Sequence, residues 1–491
     1  MRELRWLVLV FVLCLPIVLL VAGVKLPWLS DSPTAVPMTV PTGDQEVAWL
    51  HTTTNAATWE RFVTGVVRST AEVPGLTVDD SKAFLESTTA VPELVLSRSG
   101  HAGKVHIRWY KLQSEVSTED WVKALAARKP APIAVIGGGS TDRAIQLAQA
   151  MDAQKEWHGD RPPLLITTAT ADTATADFDM SSDRGGVQLV DLYDDRTFRF
   201  CFTNRQMAEA VVRFVFDGPE ASLRPPANAR VPVVTVSWGD DRYSVDLRDQ
   251  FTAALARRFS APGRLAFLDN STIPFSVGGY LSPNPRERDV AEFVADRLRS
   301  VPDERVLLVL PSTTQPARRL LKAVIDAEPK AAGKLVVVTG DGLPLNAVLR
   351  DGEFAWPTAA LPVPLVFFAH NNPVAWDGNP ATAPPGYAFR PPNGTEEEMH
   401  FGELSKVLAG ACFPPNKPTA THGDELIDRL RERTDIFDPN GERNANAGEH
   451  VIVVSPGHRP TLAVWRQGSG RSWVQVPGTP VPLSAGREDR P

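Results

Sequence analysis

Three consecutive glycines, Gly137, Gly138 and Gly139, followed by Ser140, Thr141 and Asp142, form the stretch of this sequence best suited to hold a ligand. They end an apolar run, Ile133 to Ile136, and precede an apolar stripe at Ala144, Leu147, Ala148 and Met151. The pattern is strand, glycine turn and helix, with a hydroxyl at the N-cap. Free backbone N–H groups at a helix N-terminus attract anions. A phosphate-binding P-loop does not fit, because no lysine follows Gly139. The dinucleotide fingerprint does not fit either, since Asp142 occupies the place of its third glycine. Amides with two hydroxyls suit a carboxylate or polar ligand group better than a polyphosphate, and they equally suit a plain capped turn.

Four more polar clusters follow apolar runs in the same way: "TTATA" (167–171), "SWGDDRY" (237–243), "PSTTQ" (311–315) and "TGDG" (339–342). One such cluster is an N-cap; five in one chain point to a binding cleft. Catalysis has little to build on. There is no G-x-S-x-G elbow, and "RQGSGRS" (466–472) lacks the strand-to-helix context. No H-E-x-x-H or CxxC motif supports a metal site, and no cofactor is implied. Cys201 and Cys412 read as two buried free thiols, although an exported chain could pair them.

These clusters must be positioned by an alternating series of elements. Strand-like runs at 46–54, 104–112, 133–136, 162–170, 196–204, 231–238, 305–311 and 334–340 alternate with helical stripes. The stripes fall at 55–70, 117–128, 205–216, 245–259 and 315–328, besides the one after Ser140. Strands that are apolar throughout, separated by amphipathic helices, mean parallel sheets covered on both faces. The fold class is therefore α/β, with two doubly wound parallel-sheet lobes divided near residue 204. Ligands in such sheets sit beyond the C-terminal strand ends, where all five clusters lie. The Pro/Gly-rich segment 371–398 reads as a long surface loop, and 435–454 as a turn-rich stretch leading into a strand.

The chain has 491 residues, 43% hydrophobic and 22% charged, enough for two or three domains of globular composition. A net charge of −7 and the lack of a basic stripe argue against nucleic acid. Arg2 and Arg5 precede an uncharged apolar run, Trp6 to Val24, long enough to cross a bilayer. The arginines orient the N-terminus to the cytoplasm and the bulk of the chain outside. Residues 1–29 thus read as a signal anchor, with a cleaved signal peptide as the alternative. Residues 30–44 read as a proline-rich linker and 475–491 as a disordered tail.

In order and spacing, "IAVIGGGSTDRAIQLAQAM", "PPLLITTATADTATA", "RTFRFCFTNRQMAEAVVRFVF", "VPVVTVSWGDDRYSVDLRDQFTAALA", "RVLLVLPSTTQPARRLLKAVIDA" and "FDPNGERNANAGEHVIVV" resemble the type I periplasmic binding proteins. Within these, the resemblance is to the branched-chain amino-acid receptors of ABC importers, and it spans roughly residues 45 to 465. It implies two lobes joined by three crossing strands that close on a ligand. Lobe 1 would comprise 45–203 and 366–435, and lobe 2 would comprise 204–365 and 436–474. The crossings would follow Arg199 to Asn204, then fall near Pro362 to Phe368 and near Ile436 to Gly441. By the same resemblance Ser140 and Thr141 would hold a ligand carboxylate. Thr168 and Thr170 would donate from the second loop of lobe 1, Tyr243 would close over the ligand from lobe 2, and Asp341 would pair with its ammonium. A buried carboxylate needs a cationic partner, which favours an amino-acid-like ligand. Thr313 stands where relatives often carry an aromatic, a departure in the pocket for the ligand's side chain. The segment Val73 to Lys104 is longer than the family's usual link. The implied function is an anchored extracytoplasmic solute receptor that serves an ABC permease and catalyses nothing. The alternative is a membrane-anchored sensory or scaffold domain on the same fold with a degenerate cleft.

Overall fold

The computed structural model describes residues 35–476, except 53–55, 86, 88–89, 114–115, 172–186, 218–222, 225–228, 240, 260–262, 274–282, 302–304, 344–362, 371–395, 445–449, 455–461 and 467–472. The expected signal anchor 1–29, nearly all of the expected loop 371–398 and the expected tail beyond 476 lie outside the described residues. Among the described residues, no helix is long and apolar enough to cross a membrane.

The first lobe is a seven-stranded sheet in the order β2-β3-β4-β1-β5-β6-β7. Its strands are β1 (Gln45–Thr52), β2 (Leu76–Lys82), β3 (Glu93–Arg98), β4 (Val105–Leu112), β5 (Ala134–Gly137), β6 (Leu164–Ile166) and β7 (Thr197–Arg199). Strand β1 pairs in parallel with β4 and β5, and the parallel ladder runs on through β6 to β7. Its side chains alternate: Val47 and Trp49 enter one core, Ala48 and Leu50 the other. That double burial is why the strand is apolar throughout. Helices α1 (Ala56–Thr70), α2 (Thr118–Ala127) and α3 (Thr141–Ala153) cover the two faces.

The second lobe is an eight-stranded sheet in the order β15-β14-β13-β12-β11-β10-β8-β9. Its strands β8 (Val231–Trp238), β9 (Leu265–Ile273), β10 (Val306–Val309), β11 (Leu335–Val338) and β12 (Leu365–Ala369) are parallel neighbours. Strands β13 (His450–Val454), β14 (Leu462–Arg466) and β15 (Trp473–Val476) extend it antiparallel. Helices α4 (Asn204–Asp217) and α5 (Arg242–Arg258) pack on one face, and α6 (Arg286–Ser300) and α7 (Thr314–Ala327) on the other. Helices α8 (Glu396–Cys412) and α9 (Gly423–Arg431) return to the core of the first lobe. α8 crosses α1 at Gly65 and Gly402, where a Cβ on Gly65 would collide with the Glu398 carbonyl oxygen.

Several expectations are corrected by the fold. The long segment after Val73 is the antiparallel hairpin β2–β3, added to β4 at the sheet edge. β12, including residues 366–369, pairs with β11 and β13, so it belongs to the second sheet and the second crossing starts only at His370. The stretch Phe437 to Arg443 still packs on β7, where Arg199 N donates to Gly441 O at 2.7 Å, so the third crossing falls after it. Residues 475 and 476 belong to β15 and not to a tail. The end of the expected linker is tied down: Met38 N donates to Tyr110 Oη at 3.2 Å, and Arg108 donates to Thr39 O at 3.0 Å. A buried ionic cluster anchors this corner. Arg108 meets Glu46 at 2.7 Å and Glu93 at 2.6 Å, while His106 bridges Glu93 at 3.1 Å and Asp44 at 2.9 Å. Periodicity did not single out these charges, because they sit within apolar strands and become partners only across the sheet.

Candidate functional site

Both sheets present their parallel C-terminal strand ends to one cleft, and the glycine turn sits at its rim. Gly138 and Gly139 have φ of 129° and 83°, left-handed values that favour glycine. A Cβ on Gly139 would lie 2.8 Å from His51 Nε2, so the backbone must pass bare. Ser140 is the N-cap of α3, its hydroxyl accepting from Arg143 N at 3.3 Å. Thr168 Oγ1 accepts from Gly139 N at 2.7 Å and so ties the two loops of the first lobe together. Thr170 is buried, and its carbonyl receives Asn204 N at 2.7 Å, at the first passage between lobes.

From the second lobe, Tyr243 enters in the first turn of α5 and Asp341 follows β11. The Tyr243 hydroxyl receives Gly342 N at 2.9 Å and stands beside the Asp341 carboxylate. Burial and the adjacent carboxylate push the phenol well above its usual range. Asp341 Oδ2 also lies 2.8 Å from His370 Nε2. His370 Nδ1 accepts from Phe202 N at 3.3 Å, which leaves Nε2 to carry the proton toward Asp341. The carboxylate therefore has a protein partner in His370 before any ligand arrives.

Ser140, Thr141, Thr168, Thr170, Tyr243, Thr313 and Asp341, the seven residues singled out by sequence, line one cavity of about 250 Å³. Thr313 is there as the N-cap of α7, without a side-chain capping bond. The wall also includes Asp142, Asp241 and Arg242, which sequence reasoning did not select. Asp241 and Arg242 stood beside Tyr243 in "SWGDDRY", one of the five polar strand ends. His370 was missed, yet it ends the apolar run of β12 as those clusters end theirs. Arg242 pairs with Asp142 across the cleft, joining the lobes directly. Burial raises the Asp241 carboxyl to about 6, against the opposing pull of the Tyr243 and Ser244 amides.

Beneath the cleft, His400 Nε2 meets Thr167 O at 3.0 Å, and its ring lies 5.3 Å from that of His370. Burial and the nearby His370 hold its basicity well below the imidazole range. Burial likewise pushes the Cys201 thiol up to about 12, which makes it a poor nucleophile. Cys201 and Cys412 are both buried and unpaired. Among the described residues, no group of acidic, His and Cys side chains could hold a metal ion.

Two doubly wound lobes, three passages between them and a cleft at the strand ends make up this arrangement. Solved structures share it. The leucine-binding protein LivK of Thermotoga maritima superposes with a TM-score of 0.51 at 15% identity, over 88% of this chain and 99% of that one. A solute-binding protein of an ABC transporter from R. palustris, in complex with 4-hydroxybenzoate, superposes with a TM-score of 0.50 at 11% identity, over 89% and 98%. No family model and no curated protein matches the sequence.

Proposed function

We propose that this protein is an extracytoplasmic solute-binding protein that captures a small amino-acid-like ligand between its lobes and presents it to an ABC-type permease. The observation that carries this reading is the single cavity lined by Ser140, Thr141, Thr168 and Thr170 of one lobe and by Tyr243, Thr313 and Asp341 of the other. Amides and hydroxyls at the start of α3 would take the ligand carboxylate. Asp341, oriented by His370, would take the ammonium. Closure of the lobes is the whole mechanism, and no bond is made or broken. Residues 1–29 would hold the receptor at the outer face of the cytoplasmic membrane, or direct its export as a cleaved signal peptide. The neighbours' transport roles are consistent with this reading.

One observation favours a second reading, an anchored sensory or scaffold domain with a degenerate cleft: the Tyr243 hydroxyl is already taken up by the Gly342 amide of its own lobe. Thermal unfolding of the full chain against amino acids, small amides, sugars and aromatic carboxylates separates the two. A ligand at 100 times its dissociation constant adds about 2.7 kcal/mol of stability. A shift with amino acids that Asp341→Ala abolishes supports the receptor. No shift across the panel supports the degenerate cleft.

A further inference from the structure

The charge and polarity of the cavity wall carry the receptor reading further. Ser140, Thr141, Thr168, Thr170 and Thr313 offer hydroxyls, and Asp142, Asp241, Arg242 and Asp341 offer charge. Among the described residues Tyr243 is the only large apolar surface in the wall, and it packs into the core behind it. A branched aliphatic side chain would meet polar groups and strip water from them without replacing their hydrogen bonds. Arg242 is matched by Asp142. Asp241 is different: it lines the same cavity, and among the described residues no cationic side chain pairs with it, so only the Tyr243 and Ser244 amides oppose the cost of its burial.

We infer that Asp241 is a specificity-determining residue of the cleft, and that the ligand is an amino acid with a short cationic side chain, of the diamino acid class. The inference rests on the proposed receptor function and goes beyond it in naming the side-chain subsite. Charges then balance across the cleft. The ligand carboxylate lies at the N-terminus of α3, one ammonium meets Asp341, and the second ammonium meets Asp241. Asp341 and Asp241 line the same cavity as Tyr243. The burial that raises the Asp241 carboxyl is the cost that a bound cation would offset.

Calorimetric titration of the full chain tests this with 2,4-diaminobutyrate, its uncharged analogue 2-aminobutyrate, and leucine. Diaminobutyrate should bind more tightly than 2-aminobutyrate by at least about tenfold, the scale of one desolvated charge pair. Asp241→Asn should erase that preference, and Asp241→Glu should retain most of it. Equal or tighter binding of 2-aminobutyrate or leucine, unchanged in Asp241→Asn, overturns the inference and leaves the receptor function standing. Binding of no amino acid overturns the receptor function itself, and the inference falls with it. The unfolding temperature of each variant, measured alongside, separates lost specificity from lost fold.

Discussion

His370 Nε2 lies 2.8 Å from Asp341 Oδ2, while its Nδ1 receives the amide of Phe202 and its own amide donates to Glu396 Oε1 at 2.8 Å. The imidazole thus connects the candidate ligand site to Phe202 at the first passage between the lobes, and the backbone amide of the same residue reaches the start of α8. His370→Ala should lower stability by about 1–3 kcal/mol, the cost of stranding buried polar partners. Because the two groups contact each other, Asp341→Asn in that background should cost less than it does alone. A double-mutant cycle by urea unfolding should give a coupling of about 0.5–3 kcal/mol. A coupling near zero removes the connection.

Asp241 makes a prediction in the absence of any ligand. Its carboxyl is raised from 3.8 to about 6, so the folded chain holds that proton more tightly than the unfolded chain. Stability from this group is present below pH ~4 and is lost as pH rises through 6. Asp241→Asn removes the loss, so the variant should exceed the parent by up to about 2 kcal/mol at pH ~7 and by little at pH ~4. Melting curves across that range check it. A variant that is less stable at neutral pH would show that the carboxylate is compensated.

Glu93 behaves in the opposite sense. Hydrogen bonds from His106 and Arg108 lower it from 4.5 to about 2 against a desolvation cost. Its contribution is present above 4.5 and disappears as pH falls through 2. His106, held between two carboxylates, is raised above 6.5, so its contribution is present below that value and fades as pH rises through the folded value. Glu93→Gln should cost about 3–5 kcal/mol at neutral pH, since it also leaves Arg108 short of one partner in a buried site. The deficit should shrink toward pH ~2. Urea midpoints at neutral and acid pH measure both ends.

Arg242 and Asp142 form an ionic link between the lobes at the cleft, and the Asp142 side chain is 65% exposed. Such a pair is worth no more than about 1 kcal/mol and is weakened by salt. Arg242→Gln should therefore leave the melting temperature nearly unchanged. It should shift the resting population toward open lobes, seen as a larger radius of gyration in solution scattering. High salt should reproduce that shift in the parent and change the variant little.

Gly65→Ala tests the packing that brings α8 back to the first lobe. The new methyl would meet the Glu398 backbone oxygen, which cannot rotate away. Overpacking of this kind costs about 1–3 kcal/mol. A neutral result by urea unfolding would mean that α1 and α8 separate more freely than the contact implies.

Much of the fold is legible in the chain because its signals are local. Val47 to Leu50 are apolar on both faces, which only a strand covered on both sides explains. Ser117 and Ser140 announce α2 and α3, and both accept the expected amide. Other elements were not legible. The hairpin strand β2, "LTVDDSK", is an exposed edge whose polar residues carry no helix or buried-strand pattern. β12 ends at the point where a crossing was expected, and its membership of the second sheet depends on pairing with β11 and β13.

The sequence by itself determined the alternation of strand and helix and the polar residues that end each apolar run, because burial periodicity and capping act over a few neighbours. Only the tertiary structure decided which of those ends face one another. Residues some two hundred positions apart, Ser140 and Asp341, line one cavity. His370 meets Asp341, and Asp241 lines the same cavity with no cationic side chain paired with it among the described residues. Such relationships arise from the packing of two sheets and the three passages between them, and no local pattern encodes the distance between residues that the chain brings together only by closing long loops.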